Sequence, residues 1–346
     1  MAIDHKLITP IMSMDDPMLS CDILGSGNGR YALRVNQDTL ITNETLEYVI
    51  AYRRECFVNR GVVVPQDFER EWRFNQGPIW SPANYDETNS DIAGWWKMDD
   101  LRFTYVDGDT VTAVPDSGPN SNDLTGSNVV YEADLLGGMG TVGMGGTNAQ
   151  LLADDHASLD LGTDPFEIYM VWVPDLPSTG THTFIGKNDG TGSDNWRFFR
   201  EQSSGRGGTT LKMSMTRGSS LAAKKATVSA VTNGTGYIHS VQCNISDDTI
   251  DFFEDGTEHG SPSGTATTDV DNAHDLVIGN SVDGGSQNMD GFLGEMLLIT
   301  HNSSSTVTNR IKIEGYLAHK WGLTSSLPSG HTYETEPPRL ASGFTG

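Results

Sequence analysis

The sequence predicts a mainly β chain: a two-sheet antiparallel sandwich with one helix near its C-terminal end and a small mixed segment at its N-terminal end. Three observations lead there. Only 36% of the 346 residues are hydrophobic while glycine alone contributes 39, a turn-rich composition that suits short strands better than helical bundles. From Ile92 onward the apolar residues fall in short runs rich in aromatic and β-branched side chains: EIYMVWV (167–173), HTFIGK (182–187), WRFFRE (196–201), LKMSM (211–215), YIHSVQCNI (237–245), TIDFFEDG (249–256), HDLVIGN (274–280) and FLGEMLLIT (292–300). Runs of this kind separated by turn residues are the pattern of a sandwich. In that stretch the segment 306–321 departs from the pattern, placing Ile313, Leu317 and Trp321 on one helical face with Thr306 as a candidate cap.

The first 76 residues read differently. After a loop-like Gly25-Ser26-Gly27-Asn28-Gly29, the segment YALRVNQDTLI alternates like a strand, and Thr42-Asn43-Glu44 resembles a helix start. Leu46, Val49, Ile50, Arg53 and Phe57 follow at three- and four-residue spacing, which predicts an amphipathic helix over about 43–59 closed by Gly61. Its apolar face, Leu46, Val49, Ile50 and Phe57, has few other apolar runs to cover it and is expected to bind a partner. Gly, Pro and Asn then mark a loop, and the domain boundary is expected near Gln76.

Charge narrows the partners. Forty-six acidic against 22 basic residues give a formal charge of -24, which repels phosphate backbones and anionic membrane surfaces, so neither nucleic acid nor membrane is expected. The three cysteines, Cys21, Cys56 and Cys243, are too few and too scattered for a disulfide framework or a zinc site. The opening MAIDHKLITPIMSMDD lacks the basic and apolar regions of a signal peptide, and no run of eighteen apolar residues occurs. Assembly in a cytoplasm is the expectation.

Four phrases, in order, carry a family resemblance. IWSPANYDETNSDIAGWWKMDD is followed by VTAVPDSGPNSNDLTG, where Val114, Asp116, Ser117, Gly118, Asn122 and Leu124 stand in a characteristic spacing and Pro115 departs from it. ASLDLGTDPFEIYMVWVP contributes Leu159, Leu161, Gly162 and Phe166, and DFFEDGTEHGSPSG is a hairpin turning at Asp255-Gly256. A D-G pair between extended runs fits the type I′ turn, which needs positive φ at both central residues. The end, with Glu314-Gly315-Tyr316-Leu317, Lys320-Trp321-Gly322-Leu323, Leu327-Pro328 and His331, is the most specific. Together they make residues 77–338 resemble the laminin-G-like, concanavalin A-like jelly rolls of phage virion proteins and marine bacterial proteins, with 339–346 as a tail.

Such sandwiches include glycosidases, whose chemistry would require paired carboxylates. Hydrolysis needs two acids flanking the bond, and period two on a strand would set them as E-x-D-x-E or E-x-D-x-x-E. No such run exists; Glu254, Asp255 and Glu258 are the nearest cluster and read as a solvated turn, so no catalytic residue is assigned. Gly138-Met139-Gly140-Thr141-Val142-Gly143 matches a dinucleotide fingerprint only formally, since Gly145 and Gly146 follow where a helix should start, and a glycine loop is the better reading. His156, His239 and His319 stand alone. Among ions, calcium fits acidic loops, with Asp154, Asp155, Asp283 and Asp290 as candidate ligands, though nothing requires a cofactor. Among Trp95, Trp96, Trp172, Trp196 and Trp321, the choice for a sugar-stacking residue near a rim is Trp196, which follows Gly-Ser-Asp-Asn.

The resemblance and the missing acid pair imply a non-enzymatic virion structural protein: a capsid decoration, head fibre or tail or neck appendage. Residues 1–76 would dock on a major capsid or tail/neck protein, and the sandwich would project toward a host cell-surface polysaccharide or neighbouring subunits, as a homo-oligomer. The alternatives are a glycan-binding module of a bacterial surface protein and a glycoside hydrolase of the same fold.

Overall fold

The computed structural model describes residues 79–340 apart from 86–89, 147, 163, 176–179, 188–194, 203–209, 218–219, 245–248, 261–271, 281–287 and 302–308, together with strand segments 6–9, 21–25, 31–35 and 38–44. The chain divides into two compact units, residues 1–80 with 339–346, and residues 81–338. The ends of the first unit meet at an antiparallel bridge between Ile79 and Arg339.

In the first unit β1 (Lys6–Thr9), β2 (Cys21–Gly25), β3 (Tyr31–Val35) and β4 (Asp38–Glu44) form an antiparallel sheet in sequence order. The segment expected to be one strand is therefore two: Val35 pairs with Asp38 and Tyr31 with Glu44, folding YALRV back on DTLITNE. Thr42, Asn43 and Glu44 end a strand instead of opening a helix, because Thr39, Ile41 and Thr42 are β-branched and already have a partner strand. The helix predicted over 43–59 lies, beyond Glu44, outside the described residues, with its face Leu46, Val49, Ile50 and Phe57.

The second unit is the predicted sandwich. In chain order its strands are β5 (Ser90–Lys97), β6 (Ala113–Val114), β7 (Leu124–Ser127), β8 (Val130–Leu136), β9 (Met139–Gly143), β10 (Gln150–Ala153) and β11 (Phe166–Pro174). They continue with β12 (Gly180–Lys187), β13 (Asn195–Gln202), β14 (Thr210–Arg217), β15 (Ser220–Thr227) and β16 (Tyr237–Asn244), then β17 (Thr249–Glu254), β18 (Thr257–Gly260), β19 (Leu276–Ile278) and β20 (Gly291–His301). One sheet runs β15-β14-β13-β12-β19-β10-β7-β6; the other runs β18-β17-β16-β11-β20-β9-β8, with β5 also paired to β20. All described pairings in these two sheets are antiparallel.

Alternation along β11 explains the layers. Phe166, Ile168, Met170 and Trp172 join the inter-sheet core, while Glu167, Tyr169 and Val171 face the other way. Across the core Trp172 meets Phe184 edge-on at 5.0 Å, and Phe166 lies 6.2 Å from Trp196. All nine residues of β11 are nevertheless buried, because its second face is covered too. The cover includes the helix α1 (Arg310–Trp321), whose Ile313, Leu317 and Trp321 are all at most 1% exposed, as the spacing predicts. Gly294 in β20 makes room: a Cβ there would stand 2.9 Å from the Trp321 ring. The helix stops at Gly322, φ 72°, a left-handed cap that glycine adopts without strain. Thr306 lies outside the described residues, and Asn309 stands at the cap position.

Two turns settle motif readings. Asp255 and Gly256 have φ of 52° and 78° and join β17 to β18, the expected D-G hairpin. Gly137 and Gly138, φ 60° and 73°, join β8 to β9. The expected glycine loop at 139–143 is thus strand β9, with no helix after it to hold a phosphate.

Candidate functional site

The buried charged side chains described in the sandwich are paired with one another or with residues nearer the surface. Arg200 on β13 reaches between the sheets to Glu254 at 2.8 Å, and the His239 Nε2–H donates to the same carboxylate oxygen at 2.9 Å. Burial pushes the His239 pKa down, against the opposing pull of the Glu254 carboxylate. Burial alone would raise Glu254, but His239 and Arg200 override it and hold the carboxyl at about 2. On the outer side of β11, Glu167 accepts from Tyr169 and from Gln242 at 3.1 Å and pairs with His301 at 2.7 Å. Glu295 takes four donors: Trp95 Nε1 at 2.6 Å, Tyr316 Oη at 3.1 Å, Lys320 Nζ at 2.8 Å and Trp321 Nε1 at 2.9 Å. Glu314, wholly buried, takes both of its short contacts from the Arg310 guanidinium.

The family phrases turn out to be latches of the same kind. Asp116 Oδ1 accepts from Trp95 N at 2.8 Å and Gly118 N at 2.7 Å, and Oδ2 accepts from Asn122 N at 3.0 Å. The Asn122 amide in turn donates to Ala93 O at 2.6 Å. These residues tie the first strand of the sandwich to the loop that follows it.

The acids weighed for hydrolysis are dispersed by the same logic. Glu254 faces Arg200 in the core, Asp255 Oδ1 accepts from Ile238 N at 2.8 Å within its turn, and Glu258 is exposed on β18. Burial raises Asp255 to about 7, assisted by the charges of Glu254 and Glu314.

Trp196 corrects the sequence reading. It is 1% exposed and packs on Phe166, because WRFFRE alternates with Trp196, Phe198 and Arg200 toward the core. No ring face is open to a sugar. Trp95, Trp96, Trp172 and Trp321 are buried as well.

The described acidic-loop candidates, Asp154, Asp155 and Asp290, do not converge. Asp154 is exposed, whereas Asp155 Oδ1 lies 2.7 Å from the buried ammonium of Lys187, which Asp160 holds from another side at 2.6 Å and Asn272 O at 3.0 Å. At Asp155 the cation is thus a lysine of the chain itself. Asp290, at φ 45°, lies 3.4 Å from His182 Nδ1, and Asp283 falls outside the described residues. Among the described residues no three metal-binding side chains come together.

What the sequence reading passed over is the segment 98–109. Met98 and Leu101 anchor a 3-10 turn, Met98–Phe103, in the core. Beyond it the loop is pinned at nearly every residue. Tyr105 N donates to Leu101 O at 2.9 Å, Val106 N to Asp109 Oδ2 at 2.9 Å and Gly108 N to Tyr131 O at 2.9 Å; in return Tyr131 N donates to Asp109 O at 2.8 Å and Ala133 N to Asp107 Oδ1 at 2.9 Å. The Tyr105 hydroxyl accepts from Thr112 N and Ala113 N, both at 3.2 Å. On this fixed loop Phe103 is 79% exposed and Val106 70%, with Leu135 of the adjoining β8 41% exposed. Arg102 lays its guanidinium 4.8 Å from the Phe103 ring centre. A rigid loop that holds an aromatic ring out of the core is a platform for a planar or apolar partner, since covering such a ring contributes on the order of 1.5–3 kcal/mol. The signal in the sequence was LRFTYVDGD, an aromatic pair beside a D-G turn in a run with neither strand nor helix period.

No protein-family model matches the sequence, and no curated protein matches it. Solved structures do. The chain is similar to domain 4 of AbnA, a GH43 extracellular arabinanase from Geobacillus stearothermophilus, in complex with arabinotriose, at 14% identity and a TM-score of 0.44 over 62% of this chain and 95% of that one. It is similar to the binding domain of Paraclostridial Mosquitocidal Protein 1 at 13% identity and TM-score 0.45, covering 65% of this chain and 51% of that one. The CBM40 of Ruminococcus gnavus IT-sialidase bound to α2,3 sialyllactose gives 7% identity and TM-score 0.33 over 39% of this chain and 75% of that one. Among the described residues no helix is long and apolar enough to cross a membrane.

Proposed function

We propose that the chain is a non-enzymatic adhesive protein whose sandwich, residues 81–338, binds a glycan through the Phe103 platform. The observation that carries this reading is the combination of rigidity and exposure at 101–109: every turn of the loop is hydrogen-bonded, yet Phe103 is 79% exposed. A pyranose face packs on such a ring, while the carboxylates beside it accept from sugar hydroxyls. The non-enzymatic part is supported by the fate of the buried acids, Glu167, Glu254, Glu295 and Glu314, each bonded to side chains of the chain itself.

The first unit, 1–80 with 339–346, is the part assigned to attachment, as a compact unit of its own. The resemblance of residues 77–338 to virion jelly rolls supports a virion as the assembly it joins. An electron-microscopy map of a particle carrying the chain, in which the sandwich and not residues 1–80 touches the particle, would overturn that assignment.

The binding reading is tested on the full chain with a glycan array followed by titration of any hit. Wild type is expected to retain a subset of glycans and Phe103→Ala to lose them at least tenfold, with an unchanged circular dichroism spectrum. Equal retention by Phe103→Ala would sink the platform as the site.

A further inference from the structure

The charges around Phe103 are not balanced. Asp107, Asp109 and Asp134 are exposed carboxylates, and Arg102 is the exposed cation among them. Asp100 is neutralised by Lys97 at 2.6 Å. Asp109 is bonded to Val106 of the loop and Asp107 to Ala133 of β8, the residue before Asp134, so the three carboxylates belong to the loop that carries Phe103 and to the strand bonded to it. Asp107 and Asp109 each commit one oxygen to a backbone N–H, at 2.9 Å in both cases, leaving the second oxygen of each to accept from a ligand. The guanidinium of Arg102 lies over the Phe103 ring, and the side chain is still 79% exposed.

We propose that this platform selects sugars without acidic groups and takes a free amino sugar best, an inference that rests on the glycan-binding reading above. The stacked ring supplies affinity for any pyranose, and the surplus of carboxylates supplies the discrimination. A ligand ammonium donates to Asp107, Asp109 and Asp134 with charge assistance, whereas a ligand carboxylate or sulfate meets two uncompensated negative charges. At exposed separations of about 6 Å, two such repulsions weaken binding on the order of tenfold relative to a neutral group, and two attractions strengthen it comparably. Salt screens both.

Three trisaccharides of matched length serve as probes against the full chain: a glucosamine trimer, an N-acetylglucosamine trimer and a galacturonate trimer, at mildly acidic pH and at low and high salt. The expected order is amine over acetamide over uronate, with roughly tenfold steps at low salt that shrink at high salt. Phe103→Ala weakens all three, and Asp134→Asn narrows the steps while leaving acetamide binding in place; asparagine tolerates the positive φ of 56° at that position. Uronate bound as tightly as the acetylated trimer, still dependent on Phe103, would overturn the charge inference and leave the glycan reading standing. Binding of all three that ignores Phe103→Ala would remove the platform as the site and this inference with it, and no binding of any would remove the glycan reading itself.

Discussion

Replacing Glu295 by Gln is expected to destabilise the sandwich by about 3–5 kcal/mol, and the geometry says why. The carboxylate is 1% exposed and accepts from four donors, two on each oxygen. An amide keeps one oxygen. If that oxygen stays toward Lys320 and Trp321, the amide hydrogens face the Tyr316 hydroxyl and Trp95 Nε1. The hydroxyl can turn and accept, but the indole N–H cannot, so one buried donor is left without an acceptor at about 1–3 kcal/mol. Lys320 loses a charged partner and keeps Asp99 at 2.7 Å, so the loss on that side falls below the 3–5 kcal/mol typical of a fully broken buried pair. Urea unfolding followed by tryptophan fluorescence measures the sum, with Trp95 and Trp321 as local reporters. A double-mutant cycle with Lys320→Met should return a coupling above about 0.5 kcal/mol, the level expected of side chains in direct contact. A loss below about 1 kcal/mol for Glu295→Gln, the scale of a surface substitution, would show that Glu295 is not the hub of the helix-to-sheet contact.

Two further outcomes test the charged core and the acidic loops. Glu254, held at about 2 against an ordinary 4.5, contributes stability that is complete above pH 4.5 and lost as pH falls toward 2; Asp255, raised from 3.8 to about 7, keeps its proton in the folded state, so stability falls as pH rises from about 4 through 7. Asp255→Asn should remove that second limb and stabilise the protein at pH 8 on the order of 1–3 kcal/mol, and identical pH profiles for the two proteins would contradict the assignment. Calcium or a chelator is expected to leave the melting temperature where it is, because the cation at Asp155 is Lys187; a rise on adding calcium would mean that the acidic loops hold a metal as well.

The sandwich was legible because strand periodicity is a local signal. EIYMVWV and FLGEMLLIT are long enough and apolar enough to demand burial on both faces, and D-G at 255–256 admits few conformations other than the turn it makes. Trp321 was legible for the same reason, three apolar residues on one helical face. What failed depended on distant residues. Trp196 looks like a rim residue from its polar neighbours, but its exposure is decided by Phe166, thirty positions away, packing on it from the opposite sheet. Asp155 reads as a calcium ligand until Lys187 is brought to it from β12. Arg200, in a run that also supplies core aromatics, gives no local sign that Glu254 and the Ser229 carbonyl will make its burial tolerable. Phe103 is the reverse case: an aromatic that sequence alone would send inward and that the pinned loop keeps out.

That loop has a second job. Strand β8 ends its sheet, and an uncovered end strand offers backbone donors and acceptors to any passing chain. The bonds from Gly108 to Tyr131, from Tyr131 to Asp109 and from Ala133 to Asp107 occupy the Tyr131 N–H and C=O and the Ala133 N–H on that edge. Two of the other end strands are short, β6 having two residues and β18 four, while β15 ends its sheet with eight. A passing chain therefore finds no ladder to extend at Tyr131, and the loop that holds Phe103 outward also seals this part of the edge. Sequence drift that loosens residues 105–109 would unseal that part of the edge at the same time, so the loop is free to vary mainly in its exposed side chains and much less in its backbone.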